Sequence, residues 1–160
     1  LSIVLHVFRQ SNKVIVTQWV LQPEGFPLEQ PPPAQLPSHQ FTLLHVYGSL
    51  FFAAAKSMEE LLPQVGNATH AVVAINLRGK SEIGSTFMTV LQRYSEALQQ
   101  HESKLMLVGV DPVVRDQLAK TGLLKVLGEE NVFVATPQLG AALNRAVAAA
   151  TAWLARPTAA

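Results

Sequence analysis

The sequence predicts one α/β domain built on a mixed, mainly parallel sheet. From residue 41 onward, apolar β-rich runs (41–47, 71–77, 105–110 and 132–135) alternate with helix-period runs (50–62, 85–100, 112–120 and 137–154). Strand–helix–strand units of this length pair in parallel through right-handed crossovers. Residues 71–77 are almost continuously apolar, the pattern of a strand covered on both faces. Upstream, residues 14–21 are rich in Val, Ile and Trp and read as a further strand, which joins as an antiparallel edge. A chain of 160 residues is normally one domain and buries a sizeable core.

Apolar residues make up 49% and charged residues 14%, more apolar and less charged than an ordinary soluble domain. A net charge of +1 leaves no nucleic-acid footprint. There is no cysteine, which excludes disulfides, thiolate chemistry and cysteine-bound metal. No run of about 18 apolar residues is present, and no signal-peptide pattern. The chain begins at Leu1 rather than Met, as in a processed product or an excised piece. Its first eight residues are mostly apolar and are followed by Arg9 and Lys13. Two readings stay open there: an ordinary strand or helix turn, or the cytosolic edge of a membrane helix by the positive-inside rule.

Residues 23–38 form a proline-heavy connection centred on Pro31, Pro32 and Pro33. It is expected to be extended and without internal hydrogen bonds, either as a surface loop or as a ligand for an SH3-type partner. The strand over 41–47 stops at Gly48. The helix over 50–62 places Phe51, Ala54, Ala55, Met58, Leu61 and Leu62 on one stripe, as three- and four-residue spacing requires, and Pro63 and Gly66 end it. In the helix over 85–100, Phe87, Val90, Leu91, Tyr94 and Leu98 share a face. Asp111 and Pro112 give a cap and a fixed-φ first position for a helix reaching Lys120. Gly122 suits a left-handed C′ position, with Leu123 as the apolar contact beyond it. Thr136 and Pro137 repeat the cap-and-proline device before a last helix with Leu139, Leu143, Val147, Ala150 and Leu154 facing inward. Residues 156–160 read as a flexible tail.

The segment Arg78-Gly-Lys-Ser-Glu-Ile-Gly84-Ser85-Thr86 lies where a strand ends and a helix begins. Ligands of open α/β sheets sit at such places, and a helix start favours an anion. Arg78, Lys80, Gly84, Ser85 and Thr86 are therefore candidates for an anion-, nucleotide- or partner-binding loop. The plainer alternative is a helix cap, with Ser85 or Thr86 satisfying the backbone and Gly84 making the turn. It is not a P-loop, because the first glycine of that motif would fall on Ala74, inside the strand. His6, His39, His45, His70 and His101 show no ligand spacing, so no metal is expected; His45 reads as a hydrogen-bonded structural histidine. Asp111 is engaged as a cap, Glu59 and Glu60 fall on a solvated face, and Glu129 and Glu130 fall in a loop. Ser49 and Ser57 lack a base. No catalytic residues and no cofactor are predicted. Among the aromatic residues, Trp19, Phe51, Phe52 and Trp153 are interface candidates. Phe51 and Phe52 are adjacent, so one helix cannot turn both into the core.

Four pieces carry a family resemblance: Val46-Tyr-Gly-Ser-Leu-Phe-Phe-Ala-Ala-Ala55, Leu77-Arg-Gly-Lys-Ser-Glu-Ile-Gly-Ser-Thr86, Leu105-Met-Leu-Val-Gly-Val110 and Gly122-Leu-Leu-Lys-Val-Leu-Gly-Glu-Glu-Asn-Val-Phe133. Their order and spacing resemble the STAS domain of bacterial SulP-family anion transporters. The resemblance implies a small mixed sheet with helices largely on one side, as in the anti-sigma factor antagonists. It implies domain limits as well: a tail from a membrane segment over 1–13, a strand and proline connection over 14–39, a STAS core over 40–155, and a flexible end over 156–160. It further implies a non-catalytic regulatory or interaction domain at the cytoplasmic face of the inner membrane, as part of an integral membrane transporter of sulfate or bicarbonate. The implied partners are the membrane domain of the same transporter, a second copy, a nucleotide or a cytosolic protein, and no nucleic acid. The anti-sigma antagonists carry a phosphorylated Ser or Thr at the equivalent helix start. Aligned through Arg93 and Tyr94, that position falls on Gly84, with Ser85 and Thr86 as the neighbouring hydroxyls. The alternative reading, a free-standing partner-switching protein, requires phosphorylation there.

Overall fold

The computed structural model describes residues 2–4, 13–51 and 55–158. Six strands form one sheet: β1 (Ile15–Val20), β2 (Leu28–Gln30), β3 (Phe41–Tyr47), β4 (Val72–Asn76), β5 (Lys104–Val110) and β6 (Val132–Val134), in the order β2-β1-β3-β4-β5-β6. Strand β1 runs antiparallel to both β2 and β3, and the β3-β4-β5-β6 run is parallel. The mixed sheet is therefore as predicted, but β1 is not its edge. The proline connection supplies β2 outside it, pairing Trp19 with Glu29. The connection also bonds outward, to other parts of the fold. Beyond the prolines, Leu36 N donates to Gln64 O and Gln64 N to Ala34 O, each at 2.9 Å. Proline lacks the N–H, so Pro31–Pro33 cannot donate to a ladder, whereas the residues flanking them can.

Four helices cover one face: α1 (Ala55–Leu61), α2 (Ser85–Gln100), α3 (Pro112–Lys120) and α4 (Leu123–Leu127). The inner residues of this layer include Leu44, Val46, Val73, Ile75, Leu105 and Leu107 from the sheet, and Met58, Phe87, Leu91, Val114, Leu118 and Leu124 from the helices. Asp111 Oδ1 accepts the Val113 N–H at 2.8 Å, the predicted cap. Gly122 takes φ +81 after α3, but Leu123 opens α4 rather than merely covering a helix end.

The opposite face is covered by α5 (Ala141–Leu154). Ala142, Ala146 and Ala150 lie against Leu43, Val72, Ala74, Met106 and Val108. Four-residue spacing puts the three alanines in one row, and their small side chains let the helix axis come close. The predicted stripe holds at Ala150, which is buried, and at Leu143 and Leu154, which pack against the same cluster; Ala142 and Ala146 join it, and Leu139 leaves it. Leu139 is 78% exposed, because the chain turns at Gly140 (φ +82) and the helix begins only at Ala141. Thr136 Oγ1 donates to Gln138 O at 3.2 Å, so the Thr-Pro pair opens a turn rather than the helix. The expected helix over 50–62 is described from Ala55, and the expectation for residues 1–13 falls largely outside the described residues.

Candidate functional site

The loop after β4 does not gather its charges at the start of α2. Arg78 N donates to Asn76 Oδ1 at 3.0 Å, and the Arg78 guanidinium donates to Thr136 O, in the β6–α5 loop, at 3.1 Å. Lys80 Nζ donates to Gly48 O at 2.6 Å. Partial burial holds the Lys80 ammonium below its ordinary pKa. The chain then passes through buried Ile83, whose N–H donates to Gln117 Oε1 at 3.3 Å. Gly84 caps α2 in an extended conformation with no side-chain cap bond. Its N–H donates to Leu50 O at 3.3 Å. Ser85 is exposed and Thr86 half-buried. Neither supplies the cap, and Thr89 Oγ1 instead donates to Ser85 O at 3.1 Å.

The start of α2 thus packs on the β3–α1 joint. A Cβ on Gly84 would stand 2.6 Å from Phe51 O. Phe51 itself is 47% exposed, and Phe52 lies outside the described residues. Trp19 and Trp153 are engaged within the fold. Trp153 stacks on His70 at 4.4 Å between centroids, and Lys104 Nζ lies 5.0 Å from its ring.

A second concavity lies on the α5 face, where β3, β4 and β5 end. It measures about 350 Å³, and its lining includes Trp19, His45, Asn76, Arg78, Gly109 and Gly140. A β-bulge between Val108 and Val110 shapes it. Gly109 sits there at φ +69, and a Cβ on it would come to 3.0 Å from Arg78 Cβ and 3.2 Å from Asn76 Oδ1. Only glycine fits that conformation and that proximity. His45 stacks flat on Trp19 at 4.2 Å and meets Tyr47 edge-on at 4.5 Å. Its Nδ1 is buried without a hydrogen-bond partner, which corrects the hydrogen-bonded reading: ring stacking, not hydrogen bonding, holds this imidazole. Burial, and then the Lys80 charge, lower the His45 pKa, while Glu29 works the other way. Sequence reasoning missed this cavity. A glycine inside the apolar β5 run was the available signal, since glycine in a strand marks a bulge or a close approach.

Next to the cavity, Glu29 Oε2 accepts from Thr17 Oγ1 at 3.0 Å, Trp19 Nε1 at 2.7 Å and Tyr47 Oη at 2.5 Å. These bonds favour the charged carboxylate, with Tyr47 contributing most, and hold its pKa below the ordinary 4.5. A lowered folded pKa stabilises the fold above the unfolded value, and that contribution is lost as pH falls through the folded one. We expect thermal melts to show a smaller loss of midpoint on acidification below pH 4.5 in Glu29→Gln than in the parent chain. Identical acid limbs would refute the role.

Six strands, helices on both faces and polar groups gathered at the strand ends define a small mixed α/β domain. The STAS domain family model matches residues 32–138, and the chain belongs to that family. No curated protein matches it closely enough to count as a relative. Among solved structures it is similar to a sulfate transporter family protein from Wolinella succinogenes. That match has 24% identity and a TM-score of 0.59, and covers 74% of this chain and 90% of the other. It is similar as well to the murine Solute Carrier 26 family member A9 anion transporter in its inward-facing state, at 14% identity and TM-score 0.68 over 93% of this chain and 24% of that one. A further structure of SLC26A9 gives 14% identity and TM-score 0.65, covering 94% of this chain and 26% of that one. The chain thus spans about a quarter of the length of the SLC26A9 chains. At these identities the likeness is one of fold. No helix among the described residues is long and apolar enough to cross a membrane.

Proposed function

We propose that this chain is the cytosolic regulatory and interaction domain of a SulP-type anion transporter, one that moves sulfate or bicarbonate, with no catalysis of its own. One observation carries the reading: almost the whole chain matches the fold of a quarter-length part of an anion transporter. The domain would sit at the cytoplasmic face of the inner membrane, docked on the membrane domain of the same polypeptide or on a second copy. The loop from Arg78 to Thr86 and the half-exposed Phe51 are the surface assigned to a partner, either a nucleotide or a cytosolic protein. The proline segment before β3 links that surface to the membrane side.

The test begins with the coding DNA upstream of Leu1. An in-frame series of helix-length apolar segments is expected. Removing residues 40–155 from that full-length protein should change labelled sulfate or bicarbonate uptake several-fold, through activity or membrane abundance. A nearby start codon, together with a phosphate on Ser85 or Thr86 by intact-mass analysis, would overturn the reading in favour of a soluble partner switch. Uptake and abundance untouched by the deletion would also overturn the regulatory role.

A further inference from the structure

We infer that the cavity at the ends of β3, β4 and β5 binds a small organic carboxylate with a planar apolar body. Arg78 is a half-buried guanidinium in its wall. Its one hydrogen bond goes to the neutral carbonyl of Thr136, and no carboxylate among the described residues lies within ion-pair distance. A guanidinium in a concavity with donors to spare is matched by an anion that accepts two parallel N–H bonds.

Three further groups converge on the same space. Asn76 is 8% exposed, and its Oδ1 is taken by the Arg78 N–H. Its amide nitrogen donates to nothing among the described residues and is not closed off from solvent, so it is free to donate to a ligand. His45 also lines the space, with a buried ring nitrogen that no group among the described residues satisfies. The first turn of α5 closes the cavity through Gly140, Ala142 and Leu143. Gly140 has no side chain to cap that turn. The N–H groups of Ala142 and Leu143 find no acceptor among the described residues. Such a turn carries roughly half a positive charge. A guanidinium, a primary amide and two helix N–H groups are all donors, and they select for negative charge.

The rest of the lining decides what carries that charge. Trp19, Val108, Leu139 and Leu143 are apolar, and Leu139, 78% exposed, stands at the rim. A space of about 350 Å³ is at the small end for organic ligands and too roomy for a bare halide. One guanidinium, with the Glu29 carboxylate close enough to act on His45, favours a single negative charge over two. An arylcarboxylate satisfies each condition. It does not depend on the transporter reading, since the cavity lies on the sheet face opposite the start of α2.

Benzoate is the probe, titrated into the 160-residue chain and followed by calorimetry and by amide and indole NMR shifts. Binding in the range of about 1 mM or tighter, near −4 kcal/mol, is expected. The shifts should centre on Gly109, Gly140, Ala142 and the Trp19 indole, with the Trp153 indole unmoved. Arg78→Gln should weaken binding at least tenfold. Leu139→Asp, an exposed substitution that leaves the core intact, should weaken it severalfold by placing a negative charge at the rim. Ser85→Ala should leave it unchanged. Overturning results are no benzoate binding, binding indifferent to Arg78→Gln and Leu139→Asp, or acetate and sulfate binding as tightly as benzoate. Shifts centred on Ser85 would also overturn it, because they would place the anion at the start of α2.

Discussion

Gly48→Ala is expected to lower unfolding stability by about 2–5 kcal/mol, with the urea midpoint falling and the m-value unchanged. Two effects add. Gly48 has φ +98, which costs an L-residue about 1–2 kcal/mol. A Cβ there would also stand 2.3 Å from Lys13 O and 3.2 Å from Val14 Cα. Both contacts are backbone, so no side-chain rotamer relieves them, and overpacking of this kind costs about 1–3 kcal/mol. The residues displaced lead into β1, whose Ile15 pairs with Tyr47 just before Gly48. Damage should therefore appear first as hydrogen exchange at the Ile15–Tyr47 end of the β1–β3 ladder. A variant within about 0.5 kcal/mol of the parent chain, the range of an inconsequential surface change, would refute the account.

Gly84→Ser is expected to destabilise by about 1–3 kcal/mol and to leave the protein without a working phosphorylation switch. By the resemblance to the anti-sigma factor antagonists the position is the counterpart of their phosphoacceptor, so restoring a hydroxyl looks like a repair. The structure argues otherwise. Gly84 has φ −80 and ψ 160, a conformation open to any residue, so there is no torsional penalty. The obstacle is packing: the new Cβ would lie 2.6 Å from Phe51 O and 3.2 Å from Phe51 C and Cα. The collision begins at Cβ, so Gly84→Ala should lose as much as Gly84→Ser, within about 0.5 kcal/mol. Paired denaturation curves decide this. A serine variant as stable as the parent would mean that the β3–α1 joint yields, and would reopen the switch.

These two glycines differ in how far the sequence discloses them. Gly48 interrupts an apolar strand immediately before a helix-period run, and that pattern alone marks a joint. Gly84 reads locally as a helix turn, and its necessity comes from Phe51, which is distant in sequence and adjacent in space. The same division separates the predicted site from the one found. Arg78, Lys80 and Ser85 are near neighbours along the chain, and proximity in sequence suggests one binding loop. In the fold, Arg78 reaches the β6–α5 loop and Lys80 reaches the end of β3, leaving Ser85 at a helix start without either. Conversely Asn76, Gly109 and Gly140 carry no shared local pattern, and meet only because β4 and β5 end, and α5 begins, at the same side of the sheet.

Alternation of strand and helix periods determined the parallel run from β3 to β6, because backbone hydrogen bonding and one-sided apolar faces are properties of short stretches. The caps at Asp111 and Gly122 followed from the same local chemistry. Tertiary structure alone decided that β2 lies outside β1, that α5 packs through alanines on the face opposite the other helices, and that Arg78 enters a cavity rather than a phosphate loop. Each of these depends on which distant surfaces meet and how closely they approach. Three alanines are a weak apolar signal in a sequence, yet against a flat sheet they allow a contact that leucines would hold apart.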